Sequence, residues 1–252
     1  MFLGHYAVGF GAKTAAPEVS LGTLFLAAQL ADLVWPVLVL AGIETLEIRA
    51  GATPVNPLVF IRYPWSHSLL ALLLWGALFG LVYRMIRKAP ARTAAVLFAV
   101  VVSHWVLDAV SHGPDVPLGP AGPFVGLGLW RSLPATVAVD LALLAGGIAL
   151  YLRATRPRDR TGTVALAGLV VFLLAAYLAS IFGPPPPNPR AVAYGALAMW
   201  VLVAWGYWVD RHRQARRSIE PGGRVPPGSR LTALSGGSEL RGFSRNHTLQ
   251  GP

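Results

Sequence analysis

The residues best suited to chemistry lie in an apolar stretch that reads Ser103-His104-Trp105-Val106-Leu107-Asp108-Ala109-Val110-Ser111-His112. On a helix, His104 and Asp108 stand one turn apart, about 6 Å in rise, and can grip one ion from a single face. His112 is about 12 Å further along the axis than His104, too far for both to share that ion. Asp108, placed between two imidazoles, can instead bridge two ions if further ligands come from elsewhere. Three candidates precede it: His5 near the N-terminus, Asp32 inside an apolar run with Gln29 one turn earlier, and His67 in Ser66-His67-Ser68. Ser66 has the side chain of a helix N-cap, which would put His67 in a first turn. Imidazole and carboxylate are the donors of catalytic zinc and similar divalent ions. The chain has no cysteine, which excludes thiolate metal sites, cysteine nucleophiles and disulfides.

Each of these residues has a plainer reading beside the chemical one. His5 alone is an interfacial histidine, and His67 a helix-end residue. Asp32 alone would pair with a Lys or Arg of a neighbouring helix, but no basic residue lies inside the long apolar runs. Asp140 sits in a later run; a ligand position and a hydrogen bond to a neighbouring helix stay open for it, and holding a ligating histidine from behind is the favoured role. Arg131 follows Trp130; it is read as an interfacial anchor ahead of an anionic-headgroup contact. Ionisable groups at mid-bilayer cost about 2.5–3.5 kcal/mol on insertion scales, so a set of them in apolar runs is a functional signal.

The elements that must position these residues follow from composition. Of 252 residues, 54% are hydrophobic and 13% charged, against about 25% charged in an average soluble domain. This excludes a soluble globular enzyme, a disordered chain and a disulfide scaffold, and it predicts an all-α integral membrane protein. About six transmembrane helices are expected, over 21–43, 66–83, 93–111, 133–152, 162–182 and 191–209. Phe2 to Ala12 is apolar but too short to cross, so it is read as a retained half-helix and not as a signal peptide.

The formal charge is +10, and most of the Lys and Arg residues fall on one side of these spans: around 84–92, 153–160 and beyond 210. The positive-inside rule puts that side in the cytoplasm. Loops 44–65, 112–132 and 183–190 then face outward, with the His/Asp set near the outer face. No comparable polar set is expected at the cytoplasmic ends. Pro184 to Pro187 form a stiff outer turn. Residues 1–209 are read as the membrane domain carrying the metal site. Residues 210–252, rich in Arg, Gly, Ser and Pro, are read as a disordered basic cytoplasmic tail. That tail is an anchor by the positive-inside rule, and no specific nucleic-acid binding is expected.

His5, Leu30-Ala31-Asp32, Ser66-His67-Ser68-Leu69-Leu70 and Ser103-His104-x3-Asp108 together resemble the YdjM-like family, bacterial inner-membrane proteins described as metal-dependent hydrolases. The resemblance covers about residues 1–120. Many members carry Pro-Asp-x-Asp-His at the second position, where this chain has Ala31-Asp32-Leu33-Val34-Trp35. The order of ligand types is also similar to that of the zinc-dependent phospholipase C and single-strand nuclease superfamily. There the last Asp bridges two zinc ions and a water between them attacks phosphorus. By that similarity Asp32, His67, His104 and Asp108 hold one ion, and His5 with Asp108 helps hold another. His112 serves that second ion or a third, and Asp108 and His112 take the catalytic roles. The implied activity is hydrolysis of a phosphoester or ester, from a membrane lipid or a small phosphoester, with zinc the expected cofactor and manganese the alternative. No serine nucleophile elbow and no H-E-x-x-H occur. Two other readings stay open: a transporter or permease using the cluster as a proton or ion relay, and a non-catalytic metal-binding membrane protein. The oligomeric state is left open.

Overall fold

The computed structural model describes residues 1–216. Its elements begin with α1 (Phe2–Ala12), α2 (Leu21–Ala28) and α3 (Leu30–Leu40), followed by the hairpin β1 (Thr45–Ile48) and β2 (Leu58–Arg62). Next come the single turn α4 (Pro64–His67), α5 (Leu69–Arg87) and α6 (Ala91–Ser111). A two-residue ladder, β3 (Val116–Pro117) with β4 (Phe124–Val125), and a 3-10 turn at Leu129–Arg131 lead into α7 (Leu133–Ala154). The chain continues through β5 (Thr155–Pro157), α8 (Arg160–Phe182), α9 (Pro189–Leu197), α10 (Met199–Arg211) and β6 (Arg213–Ala215).

Among the described residues, five helical segments are long and apolar enough to cross a membrane, the last being α9 and α10 together, and a bent pair, α2 with α3, makes a sixth when counted as one span. The molecule is thus an all-α, multi-pass membrane protein, as its composition requires. Leu74, Leu78, Met85 and Ile86 lie exposed on α5, as expected of a face that meets lipid rather than water. The helix starts are capped by side chains: Ser20, Ser68, Ser132, Asp159 and Asn188 each accept from a backbone N–H three residues on, satisfying donors that lipid cannot.

Several expectations change in detail. The run over 21–43 is not one straight helix. It breaks at Gln29, and α2 and α3 meet at 55°. Pro36 lies inside α3 and has no N–H to continue the ladder from its own position. Ser66 does not cap the second long helix; Ser68 does, accepting from Ala71 N at 3.1 Å. The 44–65 loop holds the β1–β2 hairpin. The tail boundary at 210 falls within ordered chain, since α10 runs to Arg211 and β6 pairs antiparallel with β5. The remaining tail, 217–252, lies outside the described residues.

The half-helix is the hub of the core. Leu3, Tyr6 and Phe10 of α1 are fully buried, against Phe25 of α2, Tyr151 of α7 and Leu169 and Leu173 of α8. Gly147 lets α7 come close: a Cβ there would stand 2.4 Å from the Ala7 carbonyl oxygen. At the C-terminal end of α1, Lys13 Nζ donates to Asp210 Oδ2 at 2.5 Å and to the Val19 carbonyl at 2.7 Å. Asp210 also accepts from Tyr151 Oη and Leu21 N. Arg213 is buried nearby, donating to Thr155 Oγ1 and the Gly162 carbonyl, with its guanidinium over the Tyr151 ring. This polar set at the end away from His5 is one that the charge pattern gave no reason to expect. Only the fold brings Lys13 and Asp210 together.

Candidate metal centre

At the other end of α1, four helices deliver side chains to one point. His5 comes from α1, Asp32 from α3, His67 from α4, and His104 with Asp108 from α6. All are buried except Asp32, whose side chain is 28% exposed and gives the cluster its access. Asp108 divides the donors by its two oxygens. Oδ2 lies 3.2 Å from His104 Nε2 and 3.8 Å from His67 Nε2. Asp32 Oδ1 lies 3.3 Å from His67 Nε2 and 3.8 Å from His104 Nε2. Oδ1 of Asp108 faces the other way, 3.1 Å from His5 Nε2 and 3.9 Å from His112 Nε2. The Met1 amino group also donates to it, at 2.9 Å.

A tetrahedral ion with bonds of about 2.1 Å has donor–donor edges of about 3.4 Å. The four imidazole–carboxylate distances among Asp32 Oδ1, His67 Nε2, His104 Nε2 and Asp108 Oδ2 bracket that value. Among the described residues, groups of three close donors occur twice, Asp32/His67/His104 and His5/His104/Asp108. His112 belongs to neither and stands at the edge of the cluster.

The imidazoles are held from behind, which fixes their tautomers. His104 Nδ1 lies 2.9 Å from the Ala28 carbonyl. A carbonyl only accepts, so Nδ1 carries the proton and Nε2 presents a lone pair to the cluster. The break at Gln29 makes this bond available: Ala28 is the last residue of α2, and no Asp32 N–H reaches its carbonyl. His104 Nε2 is buried and makes no hydrogen bond among the described residues, though carboxylate oxygens lie close by. A lone pair facing a carboxylate is repelled unless a cation lies between them, either a shared metal ion or a proton on Nε2.

His67 is oriented by a second chain of bonds. Its Nδ1 is 2.7 Å from Ser66 Oγ, which is itself 2.6 Å from Glu44 Oε2. The carboxylate accepts, so the serine proton goes to Glu44. Ser66 Oγ then accepts from His67 Nδ1–H, leaving the Nε2 lone pair aimed at Asp32 and Asp108. Glu44 Oε1 also accepts from Trp65 N at 2.8 Å and Ser66 N at 3.0 Å, fastening the start of α4. Glu44 is almost completely buried.

His5 stacks on His104, with ring centroids 3.7 Å apart and planes 3° from parallel. Asp140 does not touch a histidine ring; Asp140 Oδ1 accepts from Gly4 N at 3.0 Å and holds the backbone that carries His5. His112 caps the end of α6, with Nδ1 3.3 Å from Asp115 Oδ1 and its ring 4.1 Å from that of Trp130. Arg131 is exposed on the 3-10 turn beyond.

The fold therefore brings together His5, Asp32, His67, His104 and Asp108, with His112 beside them and Asp140 one residue removed. Residues not singled out from sequence are Glu44, Ser66 in its actual role, the Ala28 carbonyl and Trp130. Only Ser66 carried a signal, its place next to His67; Glu44 is one charge in a loop and nothing in its neighbours marks it. Gln29 and Tyr6 are also buried nearby, with polar side-chain atoms that have no partner among the described residues. Comparison of the chain with protein-family models, curated proteins and solved structures gives no match, so the functional reading rests on this geometry.

Proposed function

We propose that the chain is a divalent-metal-dependent hydrolase of a bacterial inner membrane, cleaving a phosphoester or ester at the His/Asp cluster. Zinc is the expected ion and manganese the alternative. The observation that supports this most is the spacing of Asp32 Oδ1, His67 Nε2, His104 Nε2 and Asp108 Oδ2, 3.2–3.8 Å between neighbours, in a set whose histidines turn lone pairs inward. The resemblance of His5, Asp32, His67 and His104-x3-Asp108 to the YdjM-like family favours the same reaction class. A divalent ion bound there would lower the pKa of a water towards about 7 and polarise the scissile group.

This chain's own groups supply the rest. Asp108 presents one oxygen to each side of the cluster, as a bridging carboxylate does. His112, between Asp108 and Asp115, is placed to take a proton from the attacking water and return it to the leaving oxygen. The water oxygen joins phosphorus or the acyl carbon as the ester bond breaks, and the alcohol leaves with that proton. Asp32, as the exposed ligand, marks where substrate approaches. The basic residues around 84–92 and 153–160 support a cytoplasmic placement of the opposite end of the bundle.

The test is the metal content of detergent-purified protein beside His104→Ala and Asp108→Ala. The expected result is one to three zinc or manganese ions in the wild type, lost in both variants, with hydrolysis of bis(p-nitrophenyl) phosphate by the loaded wild type alone. A wild type that binds no metal after supplementation removes the reading.

A relay of protons or ions is the second reading. The unpartnered Gln29 and Tyr6 and the Lys13–Asp210 pair at the far end of α1 favour it. Against it, Phe10 and Phe25 pack edge to face between the two polar ends. Proton or zinc flux into liposomes, abolished by Asp108→Asn, would select this reading over hydrolysis.

A further inference from the structure

A cavity of about 560 Å³ opens between the β1–β2 loop, the 3-10 turn, the C-terminal end of α8 and α9. Its size falls within the ~300–1,000 Å³ of small-molecule sites. Phe2, Ile181 and Val192 contribute to apolar walls, and the rest of the lining includes Trp130, Asp140 and Tyr177. Two of these groups are polar and almost wholly buried. Tyr177 Oη has no partner among the described residues, and Asp140 has committed Oδ1 to Gly4 N. A carboxylate acceptor beside a free phenol fits a hydroxyl group, which can donate to the first and accept from the second. It does not fit a phosphate, which Asp140 would repel.

No residue of the cluster lines the cavity, but two lining residues reach the cluster's neighbours. Trp130 packs on the ring of His112, and Asp140 holds Gly4, the residue before His5. The geometry points to a lipid with a free hydroxyl on its headgroup: hydroxyl on Asp140 and Tyr177, one acyl chain along the apolar walls, and phosphoester beside the cluster. A chain that moves from bilayer to apolar wall gains little, since lipid tails and such walls are equally apolar. The hydroxyl contacts therefore set selectivity. Occupancy of the cavity is independent of hydrolysis; the role of the lipid as substrate rests on the hydrolase reading above.

The experiment is photo-crosslinking of the full chain in nanodiscs with phosphatidylglycerol carrying an acyl diazirine, with adducts mapped by mass spectrometry. Adducts are expected in 50–58 and 177–195. Gly195 lines the cavity, and a Cβ there meets open space, so Gly195→Trp should fill it and reduce these adducts at least tenfold with metal content unchanged. If that variant is not recovered, Gly195→Leu takes its place. Gly146→Trp, equally unobstructed on α7 and away from the cavity, should label as the wild type does. Phosphatidylpropanol of the same chain, equal in charge but lacking the headgroup hydroxyls, should label less, and the difference should vanish in Tyr177→Phe with Asp140→Asn. Adducts unchanged by filling the cavity, adducts confined to α5, or equal labelling by both lipids would overturn the assignment. Expected labelling in a protein that binds no metal would leave the lipid site standing and remove the hydrolase reading.

Discussion

Replacing Glu44 by Gln changes few atoms and should change the metal affinity of a residue that Glu44 never touches. Glu44 Oε1 accepts two backbone N–H groups, Trp65 and Ser66, while Oε2 accepts the Ser66 hydroxyl. In Glu44→Gln, the remaining carbonyl oxygen stays with the two backbone donors and an NH₂ faces Ser66. That NH₂ cannot accept, so the serine proton turns to the other neighbour 2.7 Å away, His67 Nδ1. The imidazole must then carry its proton on Nε2, where it points at Asp32 and Asp108 and blocks the lone pair. Loss of such an outer hydrogen bond costs about 10–100-fold in metal affinity, or about 1.4–2.8 kcal/mol. Fold stability should move little, because the backbone bonds remain. Glu44→Ala differs: it strands two backbone donors and a hydroxyl at about 1–3 kcal/mol each, so it should lower the melting temperature as well. Zinc competition titrations against a chromogenic chelator, run beside thermal melts in detergent, separate the two effects. Wild-type zinc affinity in Glu44→Gln would refute the tautomer reasoning, and equal melting of both variants would refute the division of labour between the two oxygens.

Three further outcomes are expected. Gly147→Leu must push α1 off α7, since even a Cβ meets the Ala7 backbone at 2.4 Å; the ion that His5 helps hold should be lost and the one on His104 kept, as counted by elemental analysis. Asp210→Ala leaves the buried Lys13 without its counter-charge, a change that costs about 3–5 kcal/mol, and Lys13→Met in the same chain should recover most of it in denaturation measurements. Because the chain has no cysteine, Asp115→Cys and Arg160→Cys can be labelled singly with a membrane-impermeant maleimide in oriented vesicles. Labelling from opposite sides is expected, and labelling of both from one side contradicts the six-span order.

The spans were legible because lipid imposes a length and a composition that few other environments do. The run read as 133–152 appears as α7 over Leu133–Ala154, that read as 162–182 as α8 over Arg160–Phe182, and the half-helix has the expected bounds. The break at Gln29 was not legible, because one amide in an apolar run is tolerated by straight and bent helices alike; only the packed structure gives its carbonyl neighbour a histidine to bind. His104 and Asp108 announced themselves by sharing a helical face. Glu44 could not, because its burial depends on the β1–β2 hairpin and α4 closing around it, and those contacts lie about twenty residues away. Asp140 was singled out as an outer support, but its partner is a backbone N–H, and a backbone leaves no trace in residue types.

The seating of α1 has a consequence for the order in which the molecule is made. Every candidate ligand, from His5 to His112, has been synthesised by residue 112. The larger part of the surface that receives α1 has not: α2 and α6 already flank it, but Asp140 and Gly147 lie on α7, which ends at Ala154. A half-helix is too short to cross a bilayer on its own, and α1 gains the Asp140 bond and the close approach at Gly147 only once α7 has been inserted. The cluster then closes as a late step of assembly. A chain stopped near residue 120 would carry all six candidate ligand side chains and still lack the α7 contacts that hold the backbone before His5.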